Sequence, residues 1–371
     1  MAMIAIGKAA SAMAEGAIEV LGRQITSGLV ITREGYANPQ PALAPCIQLI
    51  ESAHPIPDGR SLAAGQKLLE FVQTLPTGMP VLFLISGGSS ALVEVLPEAL
   101  SLEDLQSING RLLAGGFTIE EMNRVRKSIS LIKGGGLLTY LGERAVLNLL
   151  ISDVPSNDPA TIGSGLLSKT SGNVTLPGNL PHEINHLLAK LTPRETRVND
   201  QLTVESVIVA DNGQACQALA ECAMQQGYHT EVHAEFLADD VNQVAVQVLQ
   251  QLQQAQPGIH IWGGEPTVRL PDKTGRGGRN QHLALLLADR IKDMDNVHIL
   301  AVATDGSDGP GEDAGGLVDG QSIMRGEAEG LDALTCLSEA NAGAFLEASG
   351  DLISTGPTGS NVMDLIIACK T

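Results

Sequence analysis

The residues best suited to chemistry sit in short glycine-rich stretches that follow apolar runs. In "IAIGKAASAMA" an apolar strand ends at Gly7, and Lys8 stands where a helix should begin. From there its ammonium can reach across strand ends toward an anionic ligand, or it can open a solvated helix face. "LISGGSSAL" repeats the arrangement with Gly87, Gly88, Ser89 and Ser90. The glycines allow close backbone approach, the serines add hydroxyl donors, and N–H groups at a helix start attract phosphate or carboxylate. A tight turn with one capping serine needs less than this. "RVRKSISLIKGGGLL" gathers basic residues in an acidic chain. Arg126 and Lys133, spaced i, i+7, are expected on one face of a helix over 118–132, lining an anion pocket, and Gly134 begins a second close-approach loop.

Carboxylates occupy comparable places. Asp153 and Asp158 follow the apolar run 145–152, where a carboxylate can serve as general base or metal ligand, or simply hold a loop. "GGEPTVRL" and "GRGGRNQHLAL" contribute Glu265, Arg276, Arg279 and Asn280. Arg279, in a glycine-rich loop before a helix, is expected to present an uncommitted guanidinium that clamps a carboxylate or phosphate bidentately. Arg276 reads as a loop charge. "ATDGSDGPGEDAGG" places Asp305, Asp308 and Asp313 in one loop; Asp305 and Asp308 suit a divalent cation, although the pattern is not an EF-hand. "TGPTGSNVMDL" adds Thr355, Thr358, Ser360 and Asn361 as polar ligands.

Positioning these loops requires alternating strands and helices. Strands are predicted over 3–7, 28–32, 47–52, 81–86, 145–152 and 206–211, with helices over 59–75, 101–116 and 118–132 among those between them. The runs 81–86 and 145–152 are continuous enough to be buried on both faces. This alternation predicts an α/β fold with a Rossmann-like, doubly wound, mostly parallel sheet. The character changes near Pro257, which predicts one domain over 1–256 and a second, smaller α/β domain over 257–371, with strand 362–368 returning into the latter. The glutamines of 243–256 read as a solvated helix face.

Net charge of −19 and a pI of about 4.7 argue against nucleic acid and anionic membrane as partners. Five cysteines without a CxxC pair indicate reduced thiols, a cytoplasmic setting and no zinc site. Neither a signal peptide nor a membrane-spanning run is recognisable. A GxxxxGK[ST] loop is missing, no GxGxxG follows the first strand, and Ser89 does not lie in a GxSxG elbow. His54 is the one histidine in a motif-like setting, "SAHPIPDG", and reads as holding its loop.

Taken in order, "GKAA", "ESAHPIPDGRS", "LISGGSSAL", "MNRVRKSIS…KGGGL", "LISDVPSNDPATIGSG", "WGGEPTV", "GRGGRNQ", "TDGSDGPGEDAGG" and "TGPTGSNV" resemble the glycerate 2-kinase family, whose C-terminal part is called the MOFRL domain. The resemblance implies an N-terminal Rossmann-like domain, a smaller C-terminal domain and a cleft between them. It implies ATP-dependent phosphorylation of D-glycerate at the 2-hydroxyl, with Lys8 and Arg279 catalytic. Asp153, Asp305 or Asp308 would then bind Mg²⁺ or orient the attacking hydroxyl, and the GGSS and KGGGL loops would cradle phosphate. A homodimer is a further expectation. The family usually carries a helical segment before its GKAA strand; six residues precede Gly7 here, so one flank of the sheet is expected to lie uncovered. Two rival readings are an NAD(P)H-dependent hydroxypyruvate reductase, which should carry the missing dinucleotide fingerprint, and a non-catalytic sensor of a sugar-acid phosphate.

Overall fold

The computed structural model describes residues 1–37, 46–168, 175–191 and 198–371. Among these residues two six-stranded sheets form, one in each of two compact units, Met1–Val209 and Ala210–Thr371.

The first sheet comprises β1 (Ala2–Ile6), β2 (Ser27–Arg33), β3 (Ile47–Ser52), β4 (Val81–Ile85), β5 (Ala145–Ile151) and β6 (Thr203–Ala210), in the order β3-β2-β1-β4-β5-β6. The pairings of β1 with β2 and β4, of β2 with β3, and of β4 with β5 are parallel. This is the strand order of doubly wound dinucleotide-binding folds, whose ligand crevice opens where neighbouring strands lead away in opposite directions. Here that point lies between β1 and β4. Both are apolar throughout and fully buried, as central parallel strands must be. By contrast, β5 alternates buried and exposed residues, so its continuous apolar run is not buried on both faces as expected. Its outer neighbour β6 is the sheet's edge and is largely exposed.

Helix α1 (Ala10–Leu21) sets Ala10 and Ala14 against Met3, Ala5, Val30, Leu82 and Leu84 on one face of the sheet. On that face Leu49, Leu147, Val207 and Val209 remain exposed. Helix α2 (Gly59–Thr74), started by an Asp58–Ser61 capping box, buries Ala64, Leu68, Leu69 and Val72 against the other face. After β4 comes α3 (Ser89–Leu92), a single turn. Two capping boxes start α4 (Leu102–Ala114) and α5 (Ile119–Ser128), which pack with α6 (His182–Leu188) in a separate small core. Helix α5 stops at Ser128, short of the predicted residue 132. The Ser130 hydroxyl takes the N–H groups of Ile132 and Lys133, and Gly134 and Gly135 adopt positive φ, so the chain leaves the helix. Arg126 and Lys133 therefore do not share a helix face.

In the second unit α7 (Asn212–Gln225), β7 (Thr230–Val232) and α8 (Val241–Gln254) precede β8 (Gly258–Gly264). There follow α9 (Arg279–Arg290), β9 (Val297–Ala303), β10 (Gly315–Asp319), α10 (Ser322–Ala328), α11 (Ala333–Ser338), α12 (Ala342–Ser349), β11 (Leu352–Ile353) and β12 (Asp364–Lys370). The order is β11-β10-β9-β12-β8-β7. β12 returns to the middle of the sheet, antiparallel to both β8 and β9. On one face α8 and α9 bury Val244, Val248, Leu283 and Leu287 over Trp262, Ile299 and Ile366. On the other, α7 sets Cys216 and Ala220 against Ile261 and Leu365. Because β7 joins this sheet and α7 and α8 cover it, the units divide at 209/210. The Pro257 turn, expected as the boundary, lies inside the second unit. The glutamines of α8 avoid its buried Val241-Val244-Ala245-Val248-Leu252 stripe. Among the described residues no helix is long and apolar enough to cross a membrane.

The tightest steric requirement in the first sheet lies at the end of β1. Gly7 has φ +138, and a Cβ there would meet the Ser86 hydroxyl at 2.1 Å and its carbonyl oxygen at 2.6 Å. Gly7→Ala should lower stability by about 1–3 kcal/mol for backbone strain alone, with the clash added, read as a lower urea midpoint at unchanged slope.

Candidate active site

In the first unit the loops leaving β1 and β4 are fastened together. The Lys8 N–H donates to Gly87 O at 2.9 Å, the Ala9 N–H to the Ser86 hydroxyl at 3.0 Å, and the Ser86 N–H to Ile6 O at 3.0 Å. Gly88 lies in the left-handed region with φ +84. A Cβ there would be 3.0 Å from the His54 ring and 3.3 Å from Lys8 Cγ. The Lys8 stem, the His54 ring and the Gly88 backbone thus converge at the switch point. His54 does more than its loop-holding reading anticipated: its ring forms part of this surface.

The GGSS segment differs from expectation in one respect. Helix α3 is only four residues long, too short for the cumulative dipole of a full helix. Ser90 instead shares a 2.7 Å hydrogen bond with Ser164, and the Ser89 hydroxyl is buried without a hydrogen-bond partner against Gly163.

The basic stretch is largely committed inside the protein. Lys133, 2% exposed, forms an ion pair with the fully buried Glu94 rather than lining a pocket. Arg126 donates to Asn109 at 2.9 Å, and burial lowers its pKa. Lys127 donates to Ala160 O at 2.8 Å. The Gly134 N–H bonds to Ser164 O at 2.9 Å and the Gly135 N–H to Gly165 O at 2.7 Å, so these two amides zip KGGGL to the 162–168 turn instead of cradling phosphate. Asp153 follows β5 and Ser152, on the same carboxyl edge of the sheet as Lys8 and Gly87. Asp158 accepts the Ala160 N–H and the Thr161 hydroxyl, which is a loop-holding role.

The second unit collects its polar residues at one edge of its sheet. Glu265 follows β8 and Thr304 and Asp305 follow β9. Asp364 opens the antiparallel β12 opposite Gly264 and Ala303, so all of them lie at the same end. Arg279, the first residue of α9, is held rather than uncommitted. Its Nε donates to Asp364 Oδ2 at 2.6 Å, its Nη2 to Asp364 Oδ1 at 3.2 Å, and its Nη1 lies 3.2 Å from Glu265. Burial disfavours the Arg279 charge, but the Asp364 carboxylate more than restores it and raises the pKa. Asp364, 1% exposed, has its own pKa raised by burial, with Arg279 pulling the other way. It was not among the sequence candidates, although an acid opening the apolar run "VMDLIIA" is a readable signal, because a buried carboxylate needs a partner.

Asp308, expected as a metal ligand, is engaged by the start of α9. Its Oδ1 accepts the Asn280 backbone N–H at 3.0 Å and side-chain amide at 3.2 Å, and its Oδ2 accepts the Gln281 N–H at 2.8 Å, so it caps α9 from another loop. A Cβ on Gly278 would meet Asp308 at 2.4 Å, which explains the glycine. Burial pushes the Asp308 carboxyl up to about 6, against these N–H groups. Asp305, 5% exposed, accepts the Ser307 N–H at 3.0 Å. Thr358 donates its hydroxyl to Thr304 O at 2.5 Å and so fastens the 355–362 loop to the Asp305 loop. Arg276, read as a loop charge, bridges Asp313 at 2.8 Å and Glu347 at 2.5 Å. Asn212, at the start of α7, donates to Val362 O and Asp364 O at 2.8 and 3.0 Å and fixes the start of β12.

Residues 1–176 match the family model described as a domain of unknown function, DUF4147, and residues 258–364 match the MOFRL family. A D-glycerate 2-kinase of Thermotoga maritima is 32% identical over 98% of this chain and 89% of its own. The chain belongs to the glycerate 2-kinase family. A crystal structure of glycerate kinase from Thermotoga maritima superposes with a TM-score of 0.83 at 31% identity, covering 100% of this chain and 91% of that one. A relative from Agrobacterium vitis, 34% identical over 98% of this chain and 85% of its own, is named "Putative hydroxypyruvate reductase". The α/β architecture expected from the resemblance is the one this family shares.

Two predictions follow from the charges. Glu94→Ala removes the buried carboxylate that meets the Lys133 ammonium and should cost about 3–5 kcal/mol in urea unfolding, most of it recovered in Glu94→Met/Lys133→Met. The native pKa of Asp308, about 6, exceeds its ordinary value of 3.8, so the folded state binds the extra proton. Stability from this group is present below pH 4 and is lost as pH rises through 6. Comparing urea midpoints across that window in wild type and Asp308→Asn should show the steeper decline in the wild type, because in the variant only Asp364, also raised by burial, still contributes.

Proposed function

We propose that this protein transfers the γ-phosphoryl group of ATP to the 2-hydroxyl of D-glycerate, giving 2-phosphoglycerate and ADP. The observation that carries this reading is the placement of Lys8. It stands at the switch point between the two central strands, with its own N–H and that of Ala9 locked to the neighbouring strand end. Phosphoryl transfer asks a protein mainly to position its reactants and to neutralise charge on the equatorial oxygens, and a lysine on a rigid strand end suits both.

Arg279 is the candidate cation that the second unit offers. Asp364 sets its plane through two hydrogen bonds, while Glu265, with a side chain 40% exposed, is the exchangeable partner that an incoming carboxylate or phosphate displaces. Asp153 is the candidate acceptor of the hydroxyl proton. The donor set suits Mg²⁺ at Asp305, an oxygen ligand beside the Arg279–Asp364 pair, and less so at Asp308, whose oxygens are occupied by α9. When bound with ATP, Mg²⁺ supplies charge neutralisation on the phosphates. Asn280 belongs to the helix-start structure and acts by keeping Arg279 in place.

The reductase reading draws on the strand order, which dinucleotide enzymes share, and on the name that two relatives from Agrobacterium vitis carry. Against it, the first turn reads "GKAASA" and has no GxGxxG fingerprint.

Phosphorus NMR with D-glycerate, ATP and Mg²⁺ should show 2-phosphoglycerate forming. Lys8→Ala should lower kcat by about 10³-fold or more with an unchanged circular dichroism spectrum. A 3-phosphoglycerate signal would overturn the regiochemistry, and NADH oxidation by hydroxypyruvate without phosphoryl transfer would replace the kinase with the reductase.

A further inference from the structure

β7 lies at the edge of the second sheet and pairs in parallel with β8 through three residues, Thr230↔Ile259, Glu231↔His260 and Val232↔Ile261. Glu231 and His260 are therefore direct cross-strand neighbours. The His233 N–H bonds to Ile261 O at 2.9 Å, which prolongs the pairing and sets His233 on the same face as Glu231. The three side chains meet. His233 Nε2 lies 3.3 Å from His260 Nδ1, Glu231 Oε2 lies 3.5 Å from the same nitrogen, and all three donor atoms fall within 4.8 Å of one another.

His260 is fully buried, and its Nε2 lies 2.9 Å from the Gln256 carbonyl oxygen. A carbonyl only accepts, so Nε2 carries the hydrogen, and in the neutral ring Nδ1 presents a lone pair to a carboxylate and a second imidazole. That arrangement is repulsive unless a proton or a cation lies between. The spacing favours a cation of particular geometry. Ligands at 2.0–2.1 Å from a tetrahedral ion are about 3.4 Å apart, close to both observed separations. The outer shell is of the kind that orients metal-binding imidazoles. Gln256 O sets the His260 tautomer. His233 stacks on Trp262 at 4.3 Å with an interplanar angle of 4°, and the Trp262 N–H is itself held by Gln251 at 2.5 Å.

We propose that Glu231, His233 and His260 bind a divalent transition metal of the zinc class, with water as fourth ligand, which staples edge strand β7 to β8. Two imidazoles and one carboxylate select such an ion over Mg²⁺ or Ca²⁺, which take oxygen ligands. The site owes nothing to the cysteines, whose spacing had pointed away from zinc. It is also separate from the ligand set proposed for catalysis, since its residues lie along the strands rather than in the loops at the sheet edge.

The test uses the full-length protein, freed of metal by a chelator and titrated with Co²⁺. The expected result is the visible absorption of four-coordinate cobalt, saturating at one equivalent and bleached by Zn²⁺. His233→Phe, which keeps a ring on Trp262, should abolish the band. Glu231→Gln, an exposed change, should weaken Co²⁺ binding by at least about 10-fold. Zn²⁺ should raise the Tm of the wild type and not of His233→Phe. Absence of the band in the wild type would overturn the proposal. So would the same band in a folded His233→Phe, because the metal would then sit elsewhere, for instance on His182 and His186 of α6.

Discussion

Asp364 opens the central strand of the second sheet with its carboxylate 1% exposed, and the polar edge of that sheet is organised around making this burial tolerable. An isolated buried carboxylate costs several kcal/mol, so a cation must meet it. Arg279 does so with two hydrogen bonds, which requires α9 to begin at that point. The start of α9 is in turn capped by Asp308 from the loop after β9, and Gly278 has no side chain because Asp308 occupies that space. Asn212 fastens the backbone on either side of Asp364 from α7. A buried pair of this kind adds little net stability over an apolar substitute, but it specifies one geometry. The geometry it specifies is the orientation of a guanidinium at the mouth of a sheet.

The first unit solves a different problem by steric means. Two fully buried strands run side by side, and their loops must leave in opposite directions without opening the backbone. Gly7 and Ser86 interlock at a distance no Cβ would permit, and Gly88 gives way to the His54 ring and the Lys8 stem. Lys8 is therefore carried on a backbone with little freedom. This is preorganisation achieved by close approach, where the second unit achieves it by charge pairing.

The strong net negative charge shapes what the basic residues can do. With 42 acidic against 23 basic side chains, a cation readily finds an acid or a carbonyl within the fold. Lys133 takes Glu94, Lys127 takes Ala160 O, Arg276 takes Asp313 and Glu347, and Arg325 takes Asp319 and Asp351. Clustering of lysine and arginine along the chain was thus a poor guide to an anion pocket. The exposure of a partner separates the cases: Glu94 is sealed in the core, whereas Glu265 faces solvent and can exchange.

Much of the architecture is legible in the sequence. The apolar runs of β1 and β4, the capping boxes of α2, α4 and α5, and the glycine-rich turns after strands are local features, and each constrains its own backbone through burial, side-chain caps or positive φ. The motif order identifies the family, and it brings Lys8 and Arg279 forward as residues of interest. Partners belong to the tertiary structure. Nothing near Lys133 names Glu94, nothing near Arg279 names Asp364 far along the chain, and the spacing of Asp305 and Asp308 hides that one of them caps a helix. Helix α5 ends early because a serine hydroxyl competes for its N–H groups, a competition that periodicity does not register. The same reason conceals Glu231, His233 and His260: two histidines and a glutamate in separate strand segments meet only when β7 pairs with β8. Local backbone preference acts over a few residues, whereas charge compensation and ligand geometry depend on which strands become neighbours, and that is decided when the sheets assemble.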